Sequence, residues 1–219
     1  MHNVESVDQA RWAQAQQREL AEWTACGPDG DDWNEFWKRH FDGFNFLRGR
    51  PINSLMEVGC GPWAKNTLNV LQVIPVGEII LLDPLMPQYV ALGKSVTKVI
   101  AVRISAPLEE LRLSRKVDLI ICINVLDHVR SVSECFERMK EHLSPGGILI
   151  VGQDLSNDED FKLCPESWVD VAHPIKLDME TCNKHLENYK PIFLKILGRH
   201  EGRNPNAHYA TLLFAGLVQ

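Results

Sequence analysis

Two acids and two glycines stand in this chain at spacings that suit a nucleotide. The stretch Asn53-Ser54-Leu55-Met56-Glu57-Val58-Gly59-Cys60-Gly61-Pro62-Trp63-Ala64 sets an acid at the end of a mostly apolar run, then two glycines one residue apart, and an amphipathic run follows to Val73. That order reads as strand, tight turn and helix. A side chain at Gly59 or Gly61 would hold the backbone off a bound nucleoside or force a strained dihedral. Pro62 suits a first helical position, where its missing donor costs nothing. Asp83 closes the next apolar run, 22 residues after Gly61, near the ~20-residue offset at which a carboxylate meets ribose hydroxyls. Three histidines could move a proton: His128 just after the apolar run Val117 to Ile123, His173 before Pro174, and His208 near the C-terminus. Lone histidines are commonly structural. Cys60 and Cys122 sit in apolar runs and read as small buried hydrophobes.

The elements that must position these groups alternate. Val4 to Ala25 is helix-prone and closed by Gly27-Pro28; Asp31 to about Leu47 is a second helical stretch dense in aromatics, with Trp33, Phe36, Trp37, Phe41, Phe44 and Phe46. Such a stretch packs on the domain or acts as a lid. Strands are expected at Glu78 to Asp83, Thr97 to Ile104, Val117 to Ile123 and Ile148 to Gly152, with a helix from Ser131 to Leu143 ended by Ser144-Pro145-Gly146-Gly147. Runs that are apolar on both faces argue a parallel sheet covered on both sides. Past Gly152 the pattern changes: Asp154 to Asp160 reads as a polar loop, Ser167 to Asp178 as irregular and Met179 to Tyr189 as helix. Pro191 to Leu197 and Ala207 to Val218 are strand-like around the turn-rich Gly202 to Asn206, which implies an antiparallel edge added to the parallel sheet.

The 219 residues, 45% of them hydrophobic, fit a single domain: a helical extension over 1–50 and a core over 51–219 with an insert at 154–178. With a net charge of -6 and scattered basic residues, nothing resembles the cationic stripe of a nucleic-acid binder, and no nucleic-acid partner is expected. No apolar leader stands at the N-terminus, and six cysteines without a CxxC pair suit a reducing cytoplasm. The histidines show no ligand spacing on one helix face, so no metal is expected.

Gly59 to Ala64 alone also satisfies a loose dinucleotide fingerprint, which leaves a nicotinamide-dependent oxidoreductase open. Four ordered motifs decide otherwise: Leu55 to Pro62, Leu82-Asp83-Pro84, Val117 to Val129, and Leu143 to Ile150. Together they make the chain resemble the class I S-adenosylmethionine-dependent methyltransferases from about Ser54 to Val151. The resemblance implies an α/β, Rossmann-like, mostly parallel seven-stranded sheet with helices on both faces, an antiparallel final strand and an N-terminal helical lid. It implies that Glu57 orders the turn and engages the cationic amino end of S-adenosyl-L-methionine. Gly59, Cys60 and Gly61 would let the backbone approach the cofactor, Asp83 would accept the ribose hydroxyls, Pro84 and Leu85 would lie on the adenine, and Asn124 near the methionine moiety. Many relatives have an Asp-Ala pair after the third strand to hold the adenine amino group; Ser105-Ala106 stands here.

The expected activity is methyl transfer to a small molecule, with sugar-containing or otherwise hydroxylated metabolites as candidates, and with His128 or His173 as a catalytic base where one is used. A cofactor-binding partner without activity is the reading outside catalysis. With the core consumed by sheet and cofactor, acceptor choice is expected from the aromatic helix around Trp33, Trp37 and Phe41 and from the insert Asp154 to Asp178, both read as mobile.

Overall fold

The computed structural model describes residues 4–26, 33–94, 99–168 and 170–219. Helix α1 spans Gln9–Ala25 and α2 Trp33–His40, followed by a 3-10 segment, Asp42–Leu47. Then come β1 Ser54–Val58, α3 Lys65–Leu71, β2 Glu78–Leu82, α4 Met86–Ala91, β3 Val102–Ile104, β4 Val117–Ile123, α5 Val132–His142 and β5 Leu143–Leu155. The last third holds α6 Asp158–Leu163, α7 Pro165–Trp168, α8 Met179–Leu186, β6 Tyr189–Gly198 and β7 Ala210–Val218. Thr97, Gly27-Pro28 and Asp31, named in the expected elements, lie outside the described residues, as does the Trp33 side chain.

The seven strands form one sheet in the order β3-β2-β1-β4-β5-β7-β6. Its first five strands pair in parallel, and β7 runs antiparallel to both β5 and β6. The antiparallel strand is therefore interior and not the expected edge, because β6 pairs on its outer side and closes that end of the sheet. The alternating side-chain direction of a strand sorts the core into two halves. Met56, Ile120 and Leu149 face one side with α5 and α8, where Phe136, Met139 and Leu186 meet them. Leu55, Leu119 and Ile150 face the other with α2, the 3-10 segment and α3, through Trp37, Phe41, Phe44, Leu47 and Val70.

Several expectations change in detail. The first helix begins at Gln9, not Val4: Asp8 caps it by accepting from the Arg11 amide at 2.8 Å, while Val4 and Ser6 bridge Lys176 and Ser131. Pro62 lies in a turn, and α3 starts three residues later behind a left-handed Ala64. Ser144 to Gly147 does not separate helix from strand; β5 already starts at Leu143, and these residues bulge out of it as the register with β4 shifts. The supposed polar loop at 154–160 is ordered. Asp154 lies buried within β5, and Asn157 caps α6 with a reciprocal capping box to Asp160, itself fully buried.

Candidate active site

Parallel strands deliver their following loops to one end of the sheet, and there a cavity of about 570 Å³ opens. Its wall nearest β1 is the expected turn. Gly59 and Gly61 both have positive φ, and a Cβ on Gly59 would lie 2.5 Å from the Val125 side chain. At Gly61 the corresponding direction faces the Trp23 ring, 3.5 Å away, so the bare backbone lines a slot beneath α1.

Both acids of the motif are buried and tied to the backbone. Asp83 accepts from the Gly61 amide at 3.0 Å through one oxygen and from the Leu85 amide at 2.8 Å through the other. Burial pushes its carboxyl up to about 6 against those two donors. Glu57 accepts from the amide and hydroxyl of Thr67, at 3.0 and 2.6 Å, in the first turn of α3. Here too burial wins over the hydrogen bonds from Thr67 and Asn66, and the carboxyl is pushed up to about 7. A carboxylate has about four acceptor positions, so each acid can hold the turn and still receive a ligand's donors. Cys60 is buried, its thiol pushed well up by burial, and serves as a packed hydrophobe.

Pro84, Leu85 and Ala106 line the same half of the cavity, as does Asn124, whose left-handed backbone follows β4 and whose amide donates to Gly152 at 2.7 Å. Ser105 is not brought there. It is exposed, and its hydroxyl donates to the Pro84 carbonyl. Tyr89, which sequence reasoning missed, is buried beside Asp83.

The other half gathers imidazoles and acids. His128 Nδ1 donates to the Ala172 carbonyl at 3.0 Å, and its Nε2 lies 3.7 Å from Asp127 Oδ1. His173 stands 4.5 Å from His128 between ring centres and bonds through Nδ1 to Asp170. Burial alone would raise the Asp127 carboxyl, but the charges of His128, His173 and His208 outweigh it and hold it at about 2. Burial would lower His173, and Asp170 and Asp127 reverse that. His208 bonds through Nδ1 to the Ser156 hydroxyl, and burial lowers it. Asp127, His128 and His173 offer a candidate metal-ligand group, which the absence of helix-face spacing did not foretell. Gln153 and Glu109, also missed, brace the segment after β4 by accepting from the amides of Leu126, Arg130 and Ser131.

The expected lid divides into two roles. Trp37 lines the cavity but is 2% exposed and packs over Gly152, so α2 is core. Helix α1 is the cover: Trp12, Gln16, Glu19 and Trp23 face the cavity. Trp12 Nε1 donates to the His128 carbonyl at 3.0 Å, and Arg11 donates to the carbonyls of Asp170 and Val171, each at 2.7 Å. At its C-terminal end Lys94 Nζ meets the carbonyls of Trp23, Thr24 and Cys26.

A family model described as a methyltransferase domain matches residues 32–188. No curated protein matches the chain. Among solved structures, the N-methyltransferase NodS from Bradyrhizobium japonicum WM9, in complex with S-adenosyl-L-homocysteine, is 18% identical, with 92% of this chain and 97% of that one covered at a TM-score of 0.65. The 1,6-didemethyltoxoflavin-N1-methyltransferase of Burkholderia thailandensis is 15% identical over 97% of this chain and 91% of its own, TM-score 0.60. The plantazolicin methyltransferase BpumL is 13% identical over 97% and 100%, TM-score 0.58. Among the described residues no helix is long and apolar enough to cross a membrane.

Proposed function

The chain belongs to the methyltransferase-domain family as a class I, S-adenosylmethionine-dependent enzyme, and from that premise we propose that it methylates a hydroxylated small molecule held against the Asp127, His128 and His173 wall. When bound, the cofactor supplies a methyl group already activated on a sulfonium. The protein's part is to align the acceptor, exclude water and deal with its proton. Glu57 receives the cofactor's ammonium and Asp83 its ribose hydroxyls, while Pro84, Leu85 and Ala106 flank the base. Asn124, in the same half, lies near the methionine moiety.

The observation that carries this reading is the division of one cavity, with glycines and backbone-tied acids on one side and imidazoles with carboxylates on the other. Small-molecule acceptors also appear in the names of the toxoflavin and plantazolicin enzymes. The check is transfer of a labelled methyl group to a panel of hydroxylated metabolites, sugars among them, alongside amines and macromolecules. Label appearing only in polypeptide or nucleic acid would overturn the acceptor class.

A further inference from the structure

Asp127 and His128 follow β4, and His173 comes from the segment after α7, yet one ligating atom from each lies within 4.8 Å of the others. Two hydrogen bonds decide which nitrogens remain available. The Ala172 carbonyl takes the Nδ1 proton of His128 and Asp170 engages Nδ1 of His173, which leaves Nε2 on both rings. An outer acceptor on the far nitrogen is how metal-binding imidazoles are oriented and held in one tautomer. Asp127 is 7% exposed, and its Oδ1 has no hydrogen-bond partner among the described residues while lying 3.7 Å from His128 Nε2. A buried carboxylate oxygen without a donor needs an explanation. A cation between it and the imidazoles supplies one, and the cavity supplies a way in.

We propose that Asp127, His128 and His173 bind one divalent first-row cation of the zinc type. Two imidazole nitrogens and one carboxylate oxygen form the three-ligand set of an open site, whose remaining position faces the cavity. Resting on the methyl-transfer reading above, a further consequence is that an acceptor hydroxyl in that position would lose its proton to solvent more readily. The cation site itself stands on the geometry alone.

The test titrates cobalt(II) into the tag-free full-length chain after chelator dialysis, reading visible ligand-field absorption. One cobalt per chain, displaced by zinc, is expected. Asp127→Asn and His173→Ala should abolish the signal, Asp170→Asn should weaken affinity by roughly 10–100-fold, and His200→Ala, at an exposed histidine, should change nothing. Circular dichroism identifies any variant that fails to fold, and the unmodified chain then decides. Absence of a bound cobalt there, or an equal signal in folded Asp127→Asn and His173→Ala, overturns the site. S-adenosylhomocysteine affinity measured on the same samples keeps the two claims apart: cofactor binding without cobalt sinks only the cation site, and cobalt without cofactor binding sinks only the methyl-transfer reading.

Discussion

Glu57 and Asp83 each combine a structural bond with the ligand contact proposed for them, and their burial makes that combination measurable. Removing Asp83 leaves the amides of Gly61 and Leu85 without acceptors and, on the proposed reading, the cofactor hydroxyls unpaired. Asp83→Ala should therefore weaken S-adenosylmethionine binding by about 1.5–3 kcal/mol, read by calorimetric titration, and lower the melting temperature as well. Glu57 predicts a proton count. Its carboxyl, raised to about 7 in the fold, holds its proton where the unfolded chain would have lost it, so its contribution to stability falls as pH climbs from the usual carboxylate range to about 7. A bound ammonium reverses the preference for the neutral form. Cofactor binding near pH 7 should then release protons, detected as a binding enthalpy that varies with the buffer's ionisation heat. Well above that pH the release should vanish, and Glu57→Gln should show less of it near pH 7. These two acids and the glycines between them were legible in the chain because a turn's chemistry is local. Thr67 and Tyr89 were not, since nothing in a hydroxyl's position along a sequence says which buried carboxylate it will meet.

At the scale of elements, helical periodicity announced two aromatic N-terminal helices but not what each would cover. An amphipathic face records that something apolar lies opposite, and the two faces here meet different things. Trp37, Phe41 and Phe44 of the second stretch are sealed into the sheet's core, whereas Trp12 and Trp23 of α1 face the cavity. The two helices should consequently fail in opposite ways. Trp37→Ala should cost about 3–5 kcal/mol in chemical denaturation. Trp23→Ala should hardly move the denaturation midpoint but should weaken cofactor binding severalfold. Equal losses of stability in both variants would show that α1 is as much core as α2. The bulge of Ser144 to Gly147 and the capping box of α6 were hidden for a related reason: glycine, proline and acidic residues read as loop wherever they stand, while a register shift or a cap depends on the partner strand or turn.

The whole molecule separates a sheet packed on both faces from a cover held by polar contacts. Opening free energies should follow that division. In hydrogen exchange, amides of β1, β4 and β5 should exchange only on global unfolding, those of α1 much sooner, and S-adenosylhomocysteine should slow α1 selectively. Strand positions and their alternation with helices were readable because each parallel strand carries its own burial pattern, whereas the placing of β7 between β5 and β6 was not. The cluster of Asp127, His128 and His173 was not, because it is assembled by the return of the chain after α7 and exists only in three dimensions.

The attachments at the two ends of α1 have a thermodynamic consequence. Its first turns rest on the loops carrying His128 and Asp170, and its last turns lie over Gly61 and are clasped by Lys94. One helix thus bears on both proposed ligands' compartments, and whichever ligand arrives first should hold the helix in place for the second. The pair should bind with positive cooperativity, and because linkage is reciprocal, the acceptor must sharpen affinity for the cofactor by the same factor as the cofactor sharpens affinity for the acceptor.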